Sequence, residues 1–155
     1  MTIYREWLIR KFEEIKRRTQ EAIEQLDESQ LNAAPDVHSH NIPALLRHIE
    51  GNMKERIAKG IRGESITRDR EREFAKDGMS REEALALIGD TMDKIVRTVA
   101  GMTEAQFEET QVVRGRERTH LDMLLQCAAH YSEHMGQILY IAKQHKQESY
   151  QSTSV

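Results

Sequence analysis

Thr119-His120-Leu121-Asp122-Met123-Leu124-Leu125-Gln126-Cys127-Ala128-Ala129-His130-Tyr131-Ser132-Glu133-His134-Met135-Gly136-Gln137-Ile138-Leu139-Tyr140-Ile141-Ala142-Lys143 is the stretch that decides the fold. Leu121, Leu124, Leu125, Ala128, Met135, Ile138 and Ile141 recur at steps of three and four, the period of one face of an α-helix. No proline interrupts them, so the spacing predicts a helix from near Thr119 to about Lys146. Inside it, His130 and His134 stand four residues apart. That stacks two imidazoles one turn apart on one face, where they can share a metal ion. Alone the pair is weak evidence, because the chain holds seven histidines in 155 residues. Its weight depends on where it sits and on a third ligand.

Three further segments carry the same period. From Thr2 to Leu26 it runs through Tyr4, Leu8, Phe12, Ile15, Thr19, Ala22, Ile23 and Leu26, with Trp7 beside them. The Lys16-Arg17-Arg18 run there reads as a solvated face. Asn32 to Pro43 holds both prolines and reads as a loop, with Asn41 placed to cap a second helix. That helix, about Ile42 to Ile61, carries Leu45, His48, Ile49, Asn52 and Met53 on one stripe, and Gly60 and Gly63 end it. Arg62 to Gly78 is dense in charge and reads as a solvated loop or a short helix. Ser80 and Glu83 form a capping box that opens a third helix. There Leu85, Ile88, Met92, Ile95 and Val99 hold the period to Gly101. Thr103 to Phe107 adds one further turn, and Gln111 to Arg116 is a short hairpin or an extended crossing. The last helix then begins, and Glu148 to Val155 reads as a disordered tail.

Four amphipathic helices with narrow apolar stripes can bury them only against one another. The expected fold is therefore all-α, a four-helix bundle over residues 1–147 as one domain, with an irregular or hairpin segment before the last helix. The link between helices two and three is long enough to cross the end of the bundle, so a plain up-down-up-down order does not follow. Charged residues are 32% of the chain and aromatics 5%, which suits solvated outer faces around an aliphatic core. A formal charge of −3 and a pI near 6.2 give no electrostatic footprint for nucleic acid or an anionic membrane. Cys127 is the single cysteine, so an internal disulfide is excluded and a cytoplasmic location is expected. No apolar run approaches a membrane span.

His130 and His134 share their stripe with Cys127 and Ile141 and so point inward. His48, three after Leu45 and four before Asn52, lies on the inward face of its own helix. Bundles build metal sites from side chains on facing helices. Three imidazoles leave a coordination position open, as catalytic sites do. Each inward ring also needs a partner for its second nitrogen, which Asn52, Gln137 or a backbone carbonyl can supply. For any one of these residues a hydrogen-bonded core histidine is the simpler explanation; three on inward stripes of two helices favour a metal. Cys127 reads as a small core residue.

Other metal patterns fit worse. His130 to His134 formally matches H-x-x-E-H, but too little chain follows for the distant carboxylate ligand of that zinc-protease class. Only Glu117-Arg118-Thr119-His120 offers the Glu-x-x-His unit that a di-iron bundle needs twice. His38 and His40 sit in the proline loop with nothing else aimed at them. Gly51 and Gly136 fall in mid-helix near the histidines, where close approach of a neighbouring helix is the expected reason.

Two segments together carry a family resemblance. One runs Asn41-Ile42-Pro43-Ala44-Leu45-Leu46-Arg47-His48-Ile49-Glu50-Gly51-Asn52-Met53, then Arg56, then Arg68 to Phe74. The other comprises Val113-Arg114-Gly115, Thr119, and His130 to Lys143 with Gly136-Gln137 after the second histidine. Nearly the whole chain resembles an uncharacterised bacterial branch of the DinB/YfiT-like superfamily. The resemblance implies a four-helix bundle, a homodimer, and a divalent metal, Zn²⁺ or Ni²⁺, held by His48, His130 and His134. Some superfamily members are thiol-dependent enzymes that transfer or isomerise substrates using mycothiol, bacillithiol or glutathione.

The expected activity is that of a metal-dependent enzyme on a small molecule, a low-molecular-weight-thiol S-transferase. The alternatives are a metal-dependent hydrolase and a metal-binding or dimerising helical protein without catalysis. Arg56, two turns beyond His48, is placed to receive an anionic substrate group, and Arg68 and Arg70 can do so from the long loop. Asn52 is placed to orient His48 or to touch substrate. Glu133 faces away from His130, so no carboxylate stands out as an acid or base.

Overall fold

The computed structural model describes residues 2–75 and 77–154; Met1, Lys76 in the charged connection and Val155 in the tail lie outside them. Four long helices form the bundle: α1 (Thr2–Glu24), α3 (Ile42–Met53), α5 (Arg81–Gly101) and α7 (His120–Lys146). Short helices α2 (Glu28–Asn32), α4 (Arg70–Glu73) and α6 (Glu104–Glu108) lie in the connections, and strands β1 (Thr110–Val113) and β2 (Arg116–Thr119) make one hairpin. α1 packs on α5 and α7, and so does α3. The first and second long helices are therefore opposed across the bundle rather than adjacent.

Each helix buries the stripe its sequence marks. Leu8, Phe12, Ile15, Ala22 and Ile23 of α1 meet Ile88, Met92, Ile95 and Val99 of α5 and Leu124, Ala128, Tyr131 and Ile138 of α7 in one core. Tyr4 and Trp7 are exceptions, 50% and 40% exposed. Arg5 takes the inward direction at that end, donating to the Met102 carbonyl at 2.7 Å and lying over the Phe107 ring.

The helix ends follow local chemistry. Asn41 accepts from the Ala44 N–H, and Ser80 and Glu83 close their capping box reciprocally. The second long helix does not stay α-helical to its end, because Lys54–Lys59 forms a π-helical turn. Gly63, at φ +68°, and the Glu64 N–H returning to the Ala58 carbonyl then close it with a left-handed cap. The wider turn has a consequence for the site. Its i→i+5 bonds put more residues in each turn, so a step of four stops short of a full turn instead of overshooting it. Arg56, within this turn, lines one cavity together with Asn52.

Glu148 to Ser154 is not the disordered tail its composition suggests. Tyr150 packs on the core and Thr153 is 3% exposed. Arg18 donates to the Thr153 hydroxyl and Arg17 to its carbonyl, both at 3.2 Å, while Gln25 exchanges two hydrogen bonds with the Gln151 backbone. Two arginines that read as a solvated face are the ones that hold the tail. Among the described residues, no helix is long and apolar enough to cross a membrane.

Candidate metal centre

His48 comes from the middle of α3, and His130 and His134 from the middle of α7. Each offers a ring nitrogen, and these atoms all lie within 4.8 Å of one another. His130 Nε2 is 3.1 Å from His48 Nε2 and 3.2 Å from His134 Nε2. Tetrahedral coordination at about 2.0–2.1 Å separates imidazole nitrogens by roughly 3.3–3.4 Å, close to this spacing.

The outward nitrogens fix the protons. His48 Nδ1 faces a Glu73 carboxylate oxygen at 3.0 Å, and His134 Nδ1 faces the Gln137 amide oxygen at 2.8 Å. Both oxygens only accept, so both Nδ1 atoms carry hydrogen, and a ring with that single proton turns its Nε2 lone pair inward. His130 can donate its one proton to only one of them. At least one pair of facing lone pairs is then left unsatisfied, and a central cation satisfies all three at once. Burial, followed by the neighbouring His134 and His48, pushes His130 down to about 4. Burial also lowers His48, against the pull of the Glu73 carboxylate. Neutral imidazole is the form that ligates metal.

Behind His48 stands a buried ionic brace. Arg68 Nε and Nη2 donate to the two oxygens of Glu73 at 2.6 and 3.0 Å, and Arg68 Nη1 donates to Glu55 at 2.6 Å. The side chains of Arg68 and Glu73 are 9% and 6% exposed. Burial alone would raise the Glu73 carboxyl, but Arg68 and His48 outweigh it and hold the group below its usual range. Gly51 makes room for this brace, since a Cβ there would lie 2.6 Å from the Glu73 carboxyl carbon. Phe74 follows with its ring 5.3 Å from that of His48 and stacked on His40 at 4.5 Å.

On the other side of His130 opens a cavity of about 560 Å³, lined among others by Asn52, Arg56, Cys127 and three arginines of the hairpin. The Asn52 side chain turns to α7 rather than to the His48 ring; its amide oxygen accepts from the Tyr131 hydroxyl at 2.8 Å. Cys127 is buried and its thiol is pushed up to about 11, chiefly by burial. Glu133 is 75% exposed, its carboxylate 4.0 Å from His130 Nδ1.

The structure thus gathers His48, His130 and His134, sets Gln137 on the outer nitrogen of His134, and lines the cavity with Asn52 and Arg56. It commits Arg68 to Glu73 and Glu55, and leaves Arg70 exposed at the start of α4. Sequence reasoning passed over Glu73 and the hairpin arginines. One available signal was Gly51, a mid-helix glycine whose neighbour is a carboxylate rather than a helix. Gly136, by contrast, has nothing within 4 Å of where a Cβ would stand.

Comparison with known proteins agrees with this architecture. A DinB-like protein from Bacillus subtilis, YjoA, superposes with a TM-score of 0.72 at 16% identity, over 96% of this chain and 97% of its own. A DinB-like protein from Bacillus cereus superposes with a TM-score of 0.65 at 14% identity, over 90% of this chain and 91% of its own. At those identities the likeness speaks for the fold. No curated protein sequence matches. The family described as "Protein of unknown function (DUF1572)" matches residues 1–155, so the chain belongs to DUF1572, and its bundle with a short hairpin is that of the DinB-like proteins.

Proposed function

We propose that this protein is a divalent-metal-dependent enzyme whose ion is held by His48, His130 and His134, and that it joins a low-molecular-weight thiol, through its sulfur and with loss of the thiol proton, to a small electrophilic substrate. The observation that carries the metal is the convergence of three Nε2 atoms, two of which, on His48 and His134, have their ring protons drawn to the outer side by Glu73 and Gln137. Zn²⁺ and Ni²⁺ both suit an all-imidazole set. A divalent ion held there would supply Lewis acidity, lowering the pKa of a thiol or water molecule bound to it.

The residues of the chain have other tasks. Glu73 and Gln137 orient the ligand rings, and Arg68 keeps Glu73 ionised. Asn52 and Tyr131 form a hydrogen-bonded wall beside Cys127. The cavity offers no activated nucleophile of its own, because the Cys127 thiol is buried and protonated at neutral pH. That favours a nucleophile brought in by a cosubstrate, and it is why the thiol reading stands ahead of a self-contained covalent mechanism.

The test has two stages. Elemental mass spectrometry of tag-free protein is expected to find near-stoichiometric metal that a His130→Ala/His134→Ala variant lacks. Thiol depletion with an electrophile is then expected for the native protein and not for His48→Ala. Metal without thiol consumption, but with ester or amide cleavage, would move the reading to a hydrolase. A protein that takes up neither Zn²⁺ nor Ni²⁺ would overturn it.

A further inference from the structure

The cavity beside the metal site is positive to a degree that the whole-chain charge of −3 conceals. Arg56, Arg114, Arg116 and Arg118 line it, and no aspartate or glutamate does. Among the described residues, Arg118 pairs with Asp122 at 2.7 Å, while Arg56, Arg114 and Arg116 have no carboxylate within ion-pair distance. Glu55 feels the charge of Arg56 but is bonded to Arg68.

The hairpin register makes this arrangement. Val113 pairs with Arg116 and Gln111 with Arg118, so these four share one face of the ribbon. Val113 is buried, and Gln111 donates to the Arg56 carbonyl at 3.1 Å, so that face is the one turned to the bundle. The opposite face carries Val112, 74% exposed, and Glu117, the hairpin's one acid, which accepts from Thr110 at 2.7 Å. A shift of one residue would exchange the two faces. Arg114 occupies the turn itself, at φ +50° ahead of Gly115 at +74°. Those are the central positions of a type I′ turn, where asparagine and glycine are favoured, so an arginine there is accepted against the local preference.

We infer that this cavity binds a small molecule carrying at least two acidic groups, carboxylate or phosphate, seated on Arg56, Arg114 and Arg116 with its reactive end toward His130. Guanidinium groups bind both kinds of oxyanion through paired N–H donors, and about 560 Å³ is room for one such molecule. The inference takes its purpose from the metal-enzyme reading, since it names the class of substrate or cosubstrate that reading requires.

The experiment is calorimetric titration of the full chain, metal-free and metal-loaded, with succinate, inorganic phosphate and 3-phosphoglycerate. Acetate and glycerol serve as the monoanionic and neutral controls. Succinate and 3-phosphoglycerate, which carry two acidic groups, are expected to bind about tenfold or more tightly than acetate or inorganic phosphate, which carry one, and the tighter of the two tells whether the site is built for carboxylate or phosphate. Arg114→Gln/Arg116→Gln is expected to weaken binding of these two by about tenfold or more, with metal content and circular dichroism unchanged. Binding of the two equal to that of acetate, or unaltered in this variant, would overturn the inference. Metal content read on the same samples separates the two readings. Normal metal with no preference for two acidic groups sinks the anion site alone, and that preference on protein that takes up no metal sinks the metal reading alone.

Discussion

Arginines flank the histidine cluster on both sides, and the two sides treat them differently. Behind His48, Arg68 is nearly buried and spends its donors on Glu73 and Glu55. In front of His130, Arg114 and Arg116 are exposed to an open cavity with no carboxylate against them. A buried charge left unpaired costs several kcal/mol, so the rear arginine has to be paired for the chain to fold. An arginine in a wet cavity pays no such penalty and can wait for a ligand. The contrast separates positioning from recognition: the rear side fixes where a ligand ring points, and the front side is left for something that is not protein.

The largest effect is expected from the ligands themselves. His130→Ala/His134→Ala should abolish metal uptake outright, measured as bound metal per chain. The rear brace comes next. Glu73→Gln keeps an acceptor for His48 but removes the charge that matches Arg68, and should weaken metal binding by about 10–100-fold in a chelator competition. Glu73→Ala should in addition destabilise the fold by about 3 kcal/mol in urea, because Arg68 then stays buried with one partner fewer. Native metal affinity in Glu73→Gln would mean that Glu73 holds the loop and not the ligand.

A pair of glycines sharpens the point. Both lie mid-helix near the cluster, and alanine is the better helix former by roughly 0.5–1 kcal/mol at such positions. At Gly136 the space is open, so Gly136→Ala should raise stability by about that amount and leave metal affinity alone. At Gly51 the new methyl collides with the Glu73 carboxylate. Gly51→Ala should therefore lower metal affinity by about tenfold or more, although residue 51 has no atom that could touch the ion. Equal behaviour of the two variants in a metal titration would break the argument for the brace.

The periodic parts of this chain were legible and the paired parts were not. Leu8, Phe12 and Ile15, or Ile88, Met92 and Ile95, announce a buried stripe because apolar burial depends on spacing alone. The three histidines were legible for the same reason, since each lies on a stripe already drawn by its apolar neighbours. Ser80 and Glu83 spell out their own cap. Glu73 sits instead in a run of alternating charge, where every residue reads as solvent-facing until Arg68 is known to reach it. The hairpin arginines were hidden differently: four-residue strands are too short to show a period of two, so the inward face had no signature. The tail was missed because polar hydrogen bonds to Arg17, Arg18 and Gln25, rather than an apolar stripe, hold most of it.

The smallest effect is expected at the most tempting residue. Cys127 lies one turn before His130 and lines the same cavity, the place where a nucleophile or a fourth ligand would stand. Its thiol is instead buried, weakly bonded to Asn52 at 3.9 Å, and pushed up to about 11 from an ordinary 9. Two pH units leave roughly a hundredfold less thiolate at neutral pH than a free cysteine has. Iodoacetamide should therefore label the native protein far more slowly than the urea-unfolded chain. The sign of the linkage follows from the raised value: the folded state holds the proton longer. Whatever stability this thiol contributes is complete below about pH 9 and is lost as the pH rises toward 11. Cys127→Ala should lower stability by about 1 kcal/mol through the lost packing, flatten that alkaline decline, and leave metal content and thiol consumption as they were. If either of those fell instead, the cavity would hold a chemical group of its own, and the division between a paired rear and a vacant front would have to be redrawn.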